Sequence, residues 1–210
     1  MAKFKQMKKG LVLIVVLLTL FSIYWFIWRK KEDTGNNLKP EPLTVKKHSE
    51  TFNTSVDKMI TAYLNMKDAF VEADTAKAKQ YDSTFIHLLD SIPMDELKAD
   101  TAIIIESAKA SINDIRSNAV SLLSQSDITE MRQDFRMITE MMYPAFFKII
   151  NYEGPKLYLQ NCPMAFGEDK AANWISNSQE IVNPYLGKNH PEFKGSMLHC
   201  GEVKDSIKGN

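Results

Sequence analysis

Residues 105–122 read IESAKASINDIRSNAVSL, and their apolar positions decide the fold. Ile105, Ala108, Ile112, Ile115, Ala119 and Leu122 are separated by steps alternating between three and four. That alternation lays one apolar stripe along a helix, the seam of a helical bundle. Three neighbouring segments share the rhythm. Val56, Met59, Ile60, Tyr63 and Phe70 mark a helix that starts behind Thr54 and Asp57, read as a capping box. Ala78, Tyr81, Phe85, Leu88, Leu89 and Ile92 mark another, ended by Pro93. Ile128, Met131, Phe135, Ile138, Met142 and Ala145 mark the last, capped by Asp127 with Glu130 three residues on. Pro144 predicts a kink or an end near Tyr143, because proline supplies no N–H and crowds the preceding turn. Short connections between four such helices predict a mainly α fold, an up-down-up-down antiparallel bundle over residues 54–150.

Proline and glycine become frequent after Ile150, and no long helical period continues. Residues 151–210 read as a small irregular or β cap. Lys156 to Gln160 alternates as a short strand would, with Leu157 and Leu159 on one side. Both cysteines lie in this cap.

The charge balance is uneven along the chain. Lysine and arginine number 26, as do aspartate and glutamate, but seven of the basic residues and no acidic ones fall in residues 1–31. The rest carries a net charge of −7. A body of that sign does not wrap phosphate backbones, so nucleic acid is excluded as a partner. The basic end surrounds residues 11–28, LVLIVVLLTLFSIYWFIW, an uncharged run of 18 residues. As a helix it would measure roughly 27 Å, close to the hydrocarbon thickness of a bilayer. Tyr24, Trp25 and Trp28 stand where an interfacial aromatic belt belongs. The run ends in Phe26, Ile27, Trp28 and Arg29, without the small residues of a cleavage site. It reads as an uncleaved signal anchor. Residues 1–10 are then cytoplasmic and residues 29–53 a polar linker. The bundle and cap lie beyond the membrane, which in a bacterium is the periplasmic face of the inner membrane.

Three clusters in the cap carry chemistry: Cys162-Pro-Met164, Asn183-Pro184-Tyr185 and Met197-Leu-His199-Cys200-Gly201. Residues two apart on an extended backbone project to one side, which pairs Cys162 with Met164 and Met197 with His199. Cys200 must come round through a turn, which Gly201 permits. If the segments meet, Cys162, Met164, Met197 and Cys200 form an all-sulfur set, and soft sulfur ligands select Cu(I). Zinc would instead take Cys162 and Cys200 with imidazoles from His199 and His190. Outside the cytoplasm the two cysteines can also simply form a disulfide, or remain inert buried thiols. Met131, Met137, Met141 and Met142 of the last helix read as packing. Trp174 reads as an aromatic plug, His87 as a surface histidine, and His48 of the linker carries no signal. Enzyme signatures are missing: the chain has no phosphate-binding glycine loop, no nucleophile elbow and no His-Glu-x-x-His. Cys162 beside His190 or His199 lacks a recognisable orienting third group, so no catalysis is expected.

The phrases YLQNCPMAF (158–166), ANWIS (172–176), EIVNPYLG (180–187) and GSMLHCGEV (195–203), with AYLNMKDAFVEAD (62–74), are together distinctive. Over residues 54–208 the chain resembles a family of small periplasmic domains of unknown function. These stand alone or end the chain of copper/silver efflux adaptor proteins of the CusB-like type. The resemblance implies a copper-related periplasmic role. It maps onto Cys162, Met164, Met197 and Cys200 as ligands. The chain departs from the pattern at Ala171, at the Lys188–Lys194 insertion that brings His190, and at His199. The function expected is a membrane-anchored protein that sequesters Cu(I) or delivers it to an efflux partner. The alternative is a disulfide-stapled envelope interaction module without metal.

Overall fold

The structure is a computed structural model that describes Phe21 and residues 48–99 and 101–207. The predicted membrane span and its cytoplasmic flank, Phe21 aside, and most of the linker lie outside the described residues. Among the described residues no helix is long and apolar enough to cross a membrane. Residues Pro42–Asn210 form a compact unit of their own.

Four main helices carry that unit: α1 (Glu50–Val71), α2 (Thr75–Asp90), α3 (Ala102–Ser124) and α4 (Ile128–Met141). A 3-10 turn, Met94–Ala99, bridges α2 and α3. Three residues join α1 to α2, and three join α3 to α4, so each packed pair runs antiparallel. The first helix begins earlier than its sequence suggests. Ser49 Oγ accepts from Phe52 N at 3.1 Å, so Thr54 lies inside the helix instead of capping it. The added turn buries Phe52, and His48 stacks on that ring at 4.3 Å while its Nε2 donates to Ile150 O. His48 is therefore part of the packing, contrary to the sequence reading. The expected cap of α4 is present: Asp127 Oδ1 accepts from Thr129 N at 2.8 Å and Glu130 N at 3.2 Å.

The seams match the predicted periodicity with three changes. In α3 the deepest first position is Ile104, and Ile105 packs at the edge. In α2 the buried line runs Ala78, Asp82, Phe85, Leu89, so a carboxylate occupies the place assigned to Tyr81. After α4 the kink comes where Pro144 put it. Tyr143 has φ −124° and ψ 133°, the Tyr143–Pro144 bond is cis, and a π turn leads into α5 (Phe147–Ile149). The kink changes the helical phase, so Phe146 and Phe147 are buried while Ala145, predicted on the seam, is exposed.

The cap is more regular than its composition suggests. Strands β1 (Leu157–Cys162), β2 (Ala172–Ser176) and β3 (Glu202–Ile207) form an antiparallel sheet in the order β2-β1-β3. The predicted strand therefore runs on to Cys162. Cys162 faces Ala172 and Gln160 faces Trp174. The register against β3 shifts at Leu159/Gln160, a bulge. Tyr63 of α1 joins sheet to bundle: its hydroxyl accepts from Ile175 N at 3.1 Å and bonds Thr139 Oγ1 at 2.6 Å. One continuous apolar core contains residues of both the helices and the sheet.

Candidate functional site

Cys162 ends β1 and is fully buried. Cys200 arrives 38 residues later at the end of a turn in which its N–H donates to Met197 O at 2.9 Å. Their sulfurs lie 2.9 Å apart, and both are free thiols. A disulfide bond would bring them to about 2.05 Å. Burial, with the Cys162 thiol beside it, pushes the Cys200 thiol up to about 12.

The turn depends on Gly201, whose φ of +144° disfavours any other residue. A Cβ there would come within 2.7 Å of Asn161 O and 2.9 Å of Trp174 Cη2. The backbone thus passes directly over β1 and the Trp174 ring, which sets Cys200 beside Cys162. Trp174 is fully buried and meets Tyr185 edge-on at 6.1 Å, the plug its sequence context suggested.

The Asn-Pro-Tyr phrase locks this turn in place, a role that its spacing did not reveal. Asn183 Nδ2 donates to Cys200 O at 2.8 Å, and Asn183 N donates to Leu198 O at 2.8 Å. Its Oδ1 accepts from Tyr185 N at 2.8 Å and Leu186 N at 3.0 Å. The same loop closes the end of α1. Arg132, buried on α4, donates Nε to Pro184 O and Nη2 to Phe70 O, each at 2.9 Å. Lys188 N donates to Val71 O at 2.8 Å, and a Cβ at Gly187 would come within 2.2 Å of that oxygen. Carbonyls left free at the helix terminus are satisfied in this way.

The remaining predicted site residues are placed differently. Met164 lies on the turn after β1, 38% exposed, its carbonyl accepting from Gly167 N. Met197 is half-buried against the core and opens the turn to Cys200. His199 is exposed, and its Nδ1 donates to Ile181 O at 2.7 Å. His190 stacks on Phe193 at 4.9 Å, and its Nδ1 accepts from Glu192 N and Phe193 N at 3.3 Å each. Burial, helped by the Arg132 charge, lowers His190 below the ordinary imidazole range. Among the described residues no three His, Cys, Asp or Glu side chains come together as a metal-ligand group. The cysteines thus meet, and neither histidine joins them in such a group. Met131 and Met142 are fully buried. Met137 lines a surface groove with Phe166, Asp169 and Lys170, and Met141 packs at the edge of the core.

No curated protein and no solved structure matches the chain. Residues 59–151, from the middle of α1 to the end of the helical part, match a family described as "Protein of unknown function (DUF3347)", and the match stops short of both cysteines.

Proposed function

We propose that the chain is a membrane-tethered domain on the periplasmic side that binds one Cu(I) ion between Cys162 and Cys200. Met164 and Met197 act as flanking thioether ligands. Its task is to sequester the ion or hand it to an efflux partner in the envelope, and it catalyses no reaction. The observation that supports this is the meeting of two thiols from segments 38 residues apart. Each comes with a methionine two or three residues away. Two thiolates with thioethers suit a soft monovalent ion. The resemblance of the same phrases to copper/silver efflux adaptors points the same way. The disulfide staple is the second reading, favoured by the closeness of the sulfurs. Zinc is weakened as a cargo at His190, whose Nδ1 accepts from two backbone N–H groups, while His199, with Nδ1 on Ile181 O, keeps Nε2 for a metal.

An anaerobic Cu(I) titration of thiol-counted protein against a chromophoric chelator tests the proposal. Reduced protein should take up one ion. Cys162→Ser and Cys200→Ser should each weaken binding by more than the roughly 10–100-fold that outer-shell changes cost. Met164→Leu and Met197→Leu should weaken it less and leave stability unchanged to within about 1.5 kcal/mol. Uptake should strengthen as pH rises, because the ion displaces a proton from the Cys200 thiol, which burial keeps protonated. If the pair is a staple, the methionine changes do nothing, and oxidised protein unfolds about 2–4 kcal/mol harder than reduced protein. Failure of reduced protein to take up Cu(I) sinks the copper reading.

The anchor has its own test. The chain should fractionate with membranes, and a reporter fused after Asn210 should be active outside the cytoplasm. Recovery of a shortened soluble chain would mean that residues 11–28 are a cleaved signal.

A further inference from the structure

Asp82 occupies a core position on α2. The buried residues of that helix are Ala78, Asp82, Phe85 and Leu89, the four-three-four spacing of a bundle seam. Asp82 is 0% exposed, and neither carboxylate oxygen has a hydrogen-bond partner. The helices packed along α2 do not neutralise it. Lys67 of α1 pairs with Asp68, and Arg116 of α3 pairs with Asp90 at the far end of α2. On α2 itself Lys77 pairs with Asp74. The charge that acts on Asp82 is a like one, Asp134 of α4. Asp134 accepts from Gln125 Nε2 at 3.0 Å. A lone ionised carboxylate in such a place is strongly disfavoured, whereas the neutral acid is tolerated.

We propose that Asp82 is a proton-binding site inside the bundle, taken up as the neutral acid when the domain folds, so that the bundle tightens in acid and loosens when Asp82 ionises against Asp134. The step is the addition of one proton from solvent to the Asp82 carboxylate, with no other bond made or broken. Burial, and secondarily Asp134, raise the Asp82 carboxyl to about 8, against about 3.9 in an unfolded chain. The folded state therefore binds one more proton between those limits. Stability is fully present below about 3.9 and is lost as pH rises towards 8. Two helix-capping carboxylates act in the opposite sense. Asp74 and Asp127, whose carboxylates cap α2 and α4, are held below the ordinary range and favour folding at higher pH.

Asp82→Asn isolates the effect, since the amide mimics the neutral acid and cannot titrate. Full-length wild type and variant are unfolded with urea in detergent micelles between pH 4.5 and 7.5, followed by near-ultraviolet circular dichroism. The wild-type folded-to-unfolded ratio, divided by that of the variant, should rise about tenfold for each unit of acidification. Asp134→Asn should keep this slope at the acid end and lose it at a lower pH than wild type does. Parallel wild-type and Asp82→Asn curves would overturn the proposal. So would a calcium-dependent stabilisation at pH 7.5 that Asp82→Asn abolishes, since the occupant would then be a metal cation. Should the variant fail to fold, carboxyl-carbon NMR of wild type decides. One aspartate should titrate near 8, and complete titration of every aspartate below about pH 5 refutes the idea.

Discussion

Phe135→Ala should destabilise the protein by about 3–5 kcal/mol, a large part of the total stability of a domain this size. Phe135 is fully buried at the point where bundle and cap meet. Its ring stacks on Tyr63 at 5.0 Å, and lies tilted against Phe70 at 5.1 Å and Tyr185 at 6.0 Å. Truncation opens a cavity walled by three other aromatics, and rings fixed on helices and a hydrogen-bonded loop cannot collapse into it. The loss should reach the cysteines as well. Tyr185, whose hydroxyl donates to Asn173 O, loses one of its supports, and Tyr185 stands two residues from the Asn183 that holds Cys200. Urea unfolding measures the main effect, and faster alkylation of Cys162 measures the second. Ile103→Ala is the contrast: Ile103 is 74% exposed, and its loss should cost under about 0.5 kcal/mol. Equal effects at the two positions would mean that the core is misplaced.

Arg132→Ala should also destabilise the protein, by about 1–3 kcal/mol, for a different reason. Arg132 is 3% exposed and, among the described residues, pairs with no carboxylate; its charge is met by the carbonyls of Pro184 and Phe70. Burial pulls its pKa down to about 10. Removing the side chain leaves the Pro184 carbonyl without its donor, and an unsatisfied buried group costs about 1–3 kcal/mol, whereas Phe70 O keeps the Ala73 N–H at 3.1 Å. Arg132→Lys should recover only part of this, because an ammonium on a flexible stem lacks the fixed fork that reaches two acceptors. The Asn183–Gly187 loop would lose its tie to α1 and α4. Cys162 should then react with alkylating reagents faster in Arg132→Ala than in wild type. A variant as stable as wild type with unchanged thiol reactivity would show that Asn183 and Lys188 hold the loop without Arg132.

The helices were legible in the chain because helix formation is local. A three-four alternation places apolar groups on one face whatever the rest of the chain does. Asp127 caps α4 through its own near neighbours, and Pro144 breaks the ladder at the bond where it sits. Residues 157–162 were legible as a strand only in part. Neither Ala172–Ser176, mostly buried, nor Glu202–Ile207, mostly exposed, shows the alternation of a half-buried strand. What the tertiary structure alone decided are the non-local meetings. A cysteine's type does not state its distance from another, and Cys162 reaches Cys200 because Gly201 and Asn183 steer the returning chain. His190 and His199 each set Nδ1 against backbone groups, a contact that their place in the sequence does not announce. The burial of Arg132 and Asp82 was equally hidden, since charged residues within an amphipathic pattern read as solvated. Whether a side chain is desolvated depends on what other elements bring against it, and that is settled only when the helices and the sheet close over one core.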